Sequence, residues 1–256
     1  MKIRVCPNND GLGKFAAEVV VNAITRGRED FVLGLATGSS PEPLYRELAV
    51  AHRAGRDFSR LQAFALDEYV GLDYGHPESY HAVLNRFVTE PLELRAEAVH
   101  APDGMAEDLV ACAAEYDHAI AAAGGIDLQI LGVGRNGHIG FNEPGSAQDS
   151  RTRLVDLQGP TIEDNKRFFT NPGEHVPTQA VTQGIGTILE ARELLLIANG
   201  PAKARAIYEL LLGPITEQVP VTFLREHPAL TVVIDEAAAA LLPPDLLAEI
   251  REQQNQ

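Results

Sequence analysis

Ile126-Asp127-Leu128-Gln129-Ile130-Leu131-Gly132-Val133-Gly134-Arg135-Asn136-Gly137-His138-Ile139-Gly140-Phe141-Asn142-Glu143-Pro144 leaves a short apolar run and enters a turn rich in glycine. The run reads as a buried strand, and the glycines remove side chains where a ligand or a second backbone must come close. Among them stand His138 and Glu143, with amides at Asn136 and Asn142. Histidine moves protons near neutral pH, and a carboxylate partner orients it and holds its cationic form. A lone histidine in a turn more often satisfies a backbone group. Several polar groups converging on a strand end among glycines point instead to a functional site.

Outward from this strand, the chain alternates strand-like and helix-like segments. Strands are predicted over 3–6, 31–36, 61–66, 127–133, 194–198 and 230–234, with 151–157 a further candidate. Helices are predicted where Leu12, Phe15, Ala16, Val19, Val20, Ala23 and Ile24 share a face, and over 41–54, 105–123, 182–191 and 202–212. Another carries Tyr80, Val83, Leu84, Phe87 and Val88, and an alanine-rich helix closes the chain. Such alternation predicts an α/β fold, a mostly parallel sheet with helices on both faces. With no internal repeat and no linker, residues 1–256 read as a single domain.

Composition narrows the class. A chain of 256 residues with 45% hydrophobic content buries a large core. Its net charge of −15 argues against nucleic-acid or anionic-membrane binding by the surface as a whole. Cys6 and Cys112 have no spacing for zinc or a disulfide framework, which points to a reducing compartment. The start of the chain lacks the apolar region of a signal peptide, and no stretch approaches membrane-spanning length. A soluble, cytoplasmic protein is expected.

In open parallel sheets, ligands bind beyond the carboxyl ends of the strands. Polar residues cluster there: Thr37-Gly38-Ser39-Ser40 after the second strand, Asp67-Glu68 after the third, the turn carrying His138, and Asn199-Gly200 after a later one. In the first of these, Ser40 is predicted to cap the following helix, with Pro41 at its first position. Its N–H groups, hydroxyls and helix dipole suit a phosphate, although the signature is neither a Walker loop nor a dinucleotide fingerprint. Lys203 and Arg167 are the candidate cations. Asp67 is a candidate general base. Its neighbour Glu68 points the other way in an extended segment and is expected to be structural.

These motifs, in this order and together with Leu66-Asp67-Glu68-Tyr69-Val70-Gly71-Leu72, Arg167-Phe168-Phe169 and Gly200-Pro201-Ala202-Lys203, resemble the glucosamine-6-phosphate deaminase (glucosamine-6-phosphate isomerase) family. The resemblance spans the chain from near its first strand to at least its last. It implies a three-layer α/β/α Rossmann-like fold and conversion of glucosamine 6-phosphate and water to fructose 6-phosphate and ammonia, in amino-sugar catabolism. By resemblance, Asp67 matches the base that moves a proton between C2 and C1, and His138 the acid/base that opens the sugar ring. Glu143 matches the partner of that histidine. Thr37, Gly38, Ser39, Ser40, Arg167 and Lys203 match the phosphate contacts. Asn136 stands where some members carry aspartate. It can orient a partner but adds no charge, which leaves Glu143 as the anionic partner of His138. Neither metal nor organic cofactor is expected, and residues 158–179 resemble the family's lid.

Two alternatives accompany this reading. A 6-phosphogluconolactonase binds a phosphosugar on a related fold but hydrolyses an ester. A non-catalytic sugar-phosphate sensor usually carries a DNA-binding segment, and no helix-turn-helix precedes Ile3. Hexameric members bind an activating N-acetylglucosamine 6-phosphate between subunits through a serine, an arginine, a lysine and a tyrosine. Here Ser146 and Arg153 match, Val155 takes the lysine position, and residues 241–256 hold no tyrosine. Hyperbolic kinetics are expected, in a homo-oligomer smaller than a hexamer if one forms.

Overall fold

The computed structural model describes residues 1–171 and 173–254; Pro172 in the lid-like segment, and Asn255 and Gln256 in the tail, lie outside the described residues. Among those described, seven strands form one sheet in which every pairing is parallel. Their order is β1 (Lys2–Cys6), β10 (Leu230–Asp235), β9 (Glu193–Ala198), β6 (Leu128–Leu131), β2 (Val32–Leu35), β3 (Gln62–Ala65) and β5 (Val99–His100). Leu194 to Ala198 and Val32 to Leu35 are buried throughout, as continuous apolar runs are when both faces of a parallel sheet are covered. The expected parallel sheet with surrounding helices is present.

The direction of the crossovers positions the site. Helix α1 (Asn9–Arg26) carries the chain from β1 to β2, and α2 (Glu42–Arg53) carries it from β2 to β3, both in one direction along the sheet. Helices α4 (Leu109–Ala122) and α7 (Ala204–Leu212) carry it the opposite way, to β6 and to β10. Right-handed crossovers put the two pairs on opposite faces, and α1 and α2 do pack together. The reversal falls between the neighbouring strands β2 and β6, so the Thr37 loop and the His138 turn leave the sheet side by side.

A second, three-stranded antiparallel sheet was not anticipated. It joins β4 (Asp67–Tyr69), β8 (Gln179–Thr182) and β7 (Arg153–Asp156) in that order. Strands of three or four residues carry too little alternation to register in a sequence, and these partners lie far apart along it. β7 lies within the candidate segment 151–157, but β4 was read as loop and Thr182 as the start of a helix. That helix, α6, is Ile185–Leu189.

Other boundaries also move. α4 starts only after Asp108, whose Oδ1 accepts the N–H groups of Val110 and Ala111 at 3.1 and 3.0 Å, so residues 105–108 lie outside it. Ser40 does not cap α2: Pro41 is the boundary residue, no side chain caps the helix, and the Ser40 hydroxyl turns to Asn199. The alanine run from Ala237 to Ala240 forms turns, with the Ala238 N–H bonded to Asp235, and the closing helix is α8 (Pro244–Gln254). Within 158–179 stands a short helix, α5 (Gly159–Asn165). Phe169 and Val176 from this segment pack with Tyr69, Phe141 and Leu157 in a small apolar cluster beside the main core. Among the described residues, no helix is long and apolar enough to cross a membrane.

Candidate active site

The turn after β6 closes on itself, the Gly137 N–H reaching Gly134 O at 3.0 Å and the Gly134 N–H reaching His138 O at 2.9 Å. A Cβ at Gly134 would lie 2.1 Å from His138 Cε1, so the imidazole rests against bare backbone and glycine is required there. Gly140 has φ 57° and faces Asp67 and Thr182; a Cβ on it would stand 3.3 Å from Asp67 Oδ2. The glycines therefore admit the side chains of His138 and Asp67 close to the backbone of one turn.

His138 Nδ1 lies 3.5 Å from Glu143 Oε2, and the Asn136 amide donates to the same oxygen at 2.7 Å. Asn136 Oδ1 accepts the His138 N–H at 3.2 Å, which fixes the orientation of the amide. The Thr161 hydroxyl, on α5, donates to Glu143 Oε1. Burial pushes the Glu143 carboxyl up, but the nearby His138, with the bonds from Thr161 and Asn136, more than offsets it and holds it below the ordinary value. Glu143 thus stays ionised beside the imidazole.

Asp67 and Glu68 divide as their alternation predicts. The Glu68 carboxylate accepts the N–H groups of Tyr69, Tyr80 and His81 at 2.8, 2.9 and 2.8 Å, capping α3 (Tyr80–Leu84). Asp67 faces the cavity instead. Its burial, and secondarily the charge of Glu68, raise its carboxyl well above the usual carboxylate range.

A cavity of about 470 Å³ opens at the reversal point. Thr37, Gly38, Ser39, Ser40, Arg167 and Lys203 line it together with Asp67 and His138. Asn136 and Glu143 stand behind His138, outside its lining. The Ser40 hydroxyl donates to Asn199 Oδ1 at 2.8 Å, and the Asn199 amide bonds Asn9 at 2.6 Å, so two loops and the start of α1 brace each other. The Arg167 guanidinium stacks 4.7 Å from the Phe168 ring centre. Burial lowers the Lys203 pKa against the influence of Asp164, and Arg167 and Arg135 lower it further. This cationic group therefore lacks a full complement of anions.

The sequence reading missed Thr161, Asp164 and Asn165, which line the cavity from α5, and Arg135, paired with Asp164 at 2.6 and 2.9 Å. The family's effector-site positions also converge: Ser146, Arg153 and Val155 line a separate hollow of about 360 Å³ behind Glu143. Arg153 bonds Asn142 Oδ1 at 2.8 Å and Ser146 Oγ at 3.3 Å. Among the described residues, no group of three or more histidine, cysteine, aspartate or glutamate side chains is arranged to hold a metal.

The family model for glucosamine-6-phosphate isomerases/6-phosphogluconolactonase matches residues 7–233. The glucosamine-6-phosphate deaminase of Pseudarthrobacter chlorophenolicus is 50% identical over 94% of this chain and 93% of its own. The chain belongs to the glucosamine-6-phosphate deaminase family. A solved structure of a monomeric glucosamine-6-phosphate deaminase superposes with TM-score 0.91 at 40% identity, covering 94% of this chain and all of the other. The 6-phosphogluconolactonase of Trypanosoma cruzi aligns with TM-score 0.75 at 24% identity, covering 94% and 96%. That second likeness speaks for the fold alone. It is weaker than the likeness to the deaminase family in both identity and superposition.

Proposed function

We propose that this protein converts glucosamine 6-phosphate and water to fructose 6-phosphate and ammonia, an isomerisation followed by hydrolytic loss of the amino group. The observation that carries this reading is the shared cavity, lined at once by a buried carboxylate, a carboxylate-backed histidine, two cations and a hydroxyl loop. The phosphate occupies the polar cradle of Thr37, Gly38, Ser39, Ser40, Arg167 and Lys203. Binding energy gathered there, remote from the reacting carbons, holds the sugar in register.

His138 opens the ring by shuttling a proton from the anomeric hydroxyl to the ring oxygen, with Glu143 stabilising the imidazolium that forms in passing. Asp67 then takes the proton from C2, whose electron pair forms the C1–C2 double bond while the C1 carbonyl oxygen takes a proton from the substrate's ammonium group, giving an enol that bears the amine. The same carboxyl returns the proton to C1, leaving an imine at C2. Water adds to that imine and ammonia departs, so the C–N bond is broken hydrolytically. The raised Asp67 pKa suits a group that must hold a carbon-derived proton and give it back. Asn136 orients Glu143 without adding charge.

Residues 158–179 act as the lid in this reading, with Arg167 on the segment that closes over the phosphate. The domain is single, and its setting is cytoplasmic amino-sugar catabolism, including sugar released from N-acetylglucosamine; the free thiols of Cys6 and Cys112 accord with a reducing compartment. Incubation with glucosamine 6-phosphate tests the function: fructose 6-phosphate and ammonia appear in equal amounts. Turnover of 6-phosphogluconolactone with no ammonia from the amino sugar would instead make the protein a lactonase.

A further inference from the structure

One face of α5 carries three side chains at helical spacing, and each is fastened to a different part of the site. The Asp164 carboxylate takes both donors of Arg135 from the turn that bears His138. The Asn165 amide donates to the Tyr69 hydroxyl at 2.8 Å, two residues beyond Asp67. Thr161 is 4% exposed, and its hydroxyl donates to Glu143 Oε1.

The two carboxylate oxygens of Glu143 are thereby divided. Oε1 belongs to Thr161, whereas Oε2 takes the Asn136 amide and faces His138 Nδ1. A free carboxylate rotates about its terminal bond and offers either oxygen. Held on one side by a hydroxyl and on the other by an amide, Glu143 presents one defined oxygen to the imidazole. We propose that Thr161 is a positioning residue of the proton relay, which holds Glu143 in register with His138 and ties the relay to the helix that begins the lid. The inference rests on the roles proposed above for His138 and Glu143.

The charged partner of Glu143 is His138, at 3.5 Å, and Arg153 and Asp156 line the same hollow as Glu143. None of them is on α5, so removing the Thr161 hydroxyl changes a hydrogen bond and no charge. The bonds that hold the Glu143 carboxyl low include that of Thr161. Losing it moves the Glu143 pKa up.

Thr161→Val keeps the shape and removes the hydroxyl; Thr161→Ser keeps the hydroxyl. In Thr161→Val, the ¹³C-carboxyl titration of Glu143 shifts up by about 1 pH unit, the worth of one charge-assisted hydrogen bond. The acid limb of kcat/KM with glucosamine 6-phosphate follows it, kcat falls about 10-fold, and the Ki of inorganic phosphate stays within about twofold. Thr161→Ser restores all three. An unmoved Glu143 titration in folded Thr161→Val overturns the proposal, as does a phosphate Ki that worsens in step with kcat, which would make Thr161 a packing residue of the lid. The titration needs no turnover. Its failure is therefore separable from a wild-type protein that releases no ammonia, which would overturn the functional reading instead.

Discussion

The Asp67 carboxylate, 5% exposed beside the charge of Glu68, is a base whose ionised form the fold disfavours. A carboxyl with a raised native pKa contributes stability only while it is protonated. That contribution is complete below its unfolded pKa and is lost as pH rises through the folded value, so holding the buried carboxyl becomes a cost as pH rises. Asp67→Asn is nearly isosteric and removes both the charge and the base. Turnover should fall by at least about 100-fold, and incorporation of solvent deuterium into fructose 6-phosphate should cease. Thermal unfolding near pH 7 should occur at a higher temperature than in the wild type, by roughly 2–4 °C for each 1 kcal/mol relieved in a chain of this size, and the difference should shrink on acidification. Near-normal turnover in this variant would remove Asp67 from its role. The residue was legible in the sequence because it follows an apolar run directly. Thr161 was not: it sits in a proline- and glycine-bearing segment, and its partner Glu143 lies 18 residues away with no pattern joining them.

At the scale of elements, it is the ends of strands and helices that gather the proposed phosphate cradle. The open start of α2, the loop after β2 and the 3-10 turn Pro201–Lys203 before α7 all face the same cavity. The Lys203 ammonium there is lowered in pKa by burial, so as pH rises it loses its charge earlier than a surface lysine does. The sign follows: KM for glucosamine 6-phosphate should climb as pH rises through the lowered lysine pKa, while kcat changes little. Lys203→Ala should abolish that alkaline limb and raise KM at neutral pH by about 10- to 150-fold, the equivalent of a 1.5–3 kcal/mol charged contact. Equal effects on unphosphorylated glucosamine would show that Lys203 only packs. The parallel strands were legible because runs such as Leu194 to Ala198 are apolar without interruption. β4 and β8 were not, since their pairing depends on partners more than a hundred residues apart.

For the whole molecule, the expectation about an effector turns on the hollow behind Glu143. Among the described residues Arg153 is the one cation lining it, half-buried and turned to Asn142 and Ser146, and Val155 supplies no second charge. A phosphate bound there lacks a contact worth about 1.5–3 kcal/mol relative to the effector sites that Ser146 and Arg153 resemble, and a ligand that binds weakly shifts no equilibrium. Rate curves should be hyperbolic, and N-acetylglucosamine 6-phosphate should act only as a competitor. A sigmoidal curve that straightens on adding it would refute this. The turn at Gly134 has a consequence of a different kind. The imidazole occupies the space where any other residue would carry its Cβ, while the phosphate cradle is built from other loops. Gly134→Ala should therefore expel His138 and leave the cradle standing, with equilibrium dialysis showing phosphosugar still held and no ammonia released. If retention is lost together with turnover, the two halves of the cavity are not separable; if it persists, one methyl group converts a catalyst into a receptor, and a dye beside Phe168 would make it a reporter for sugar phosphates.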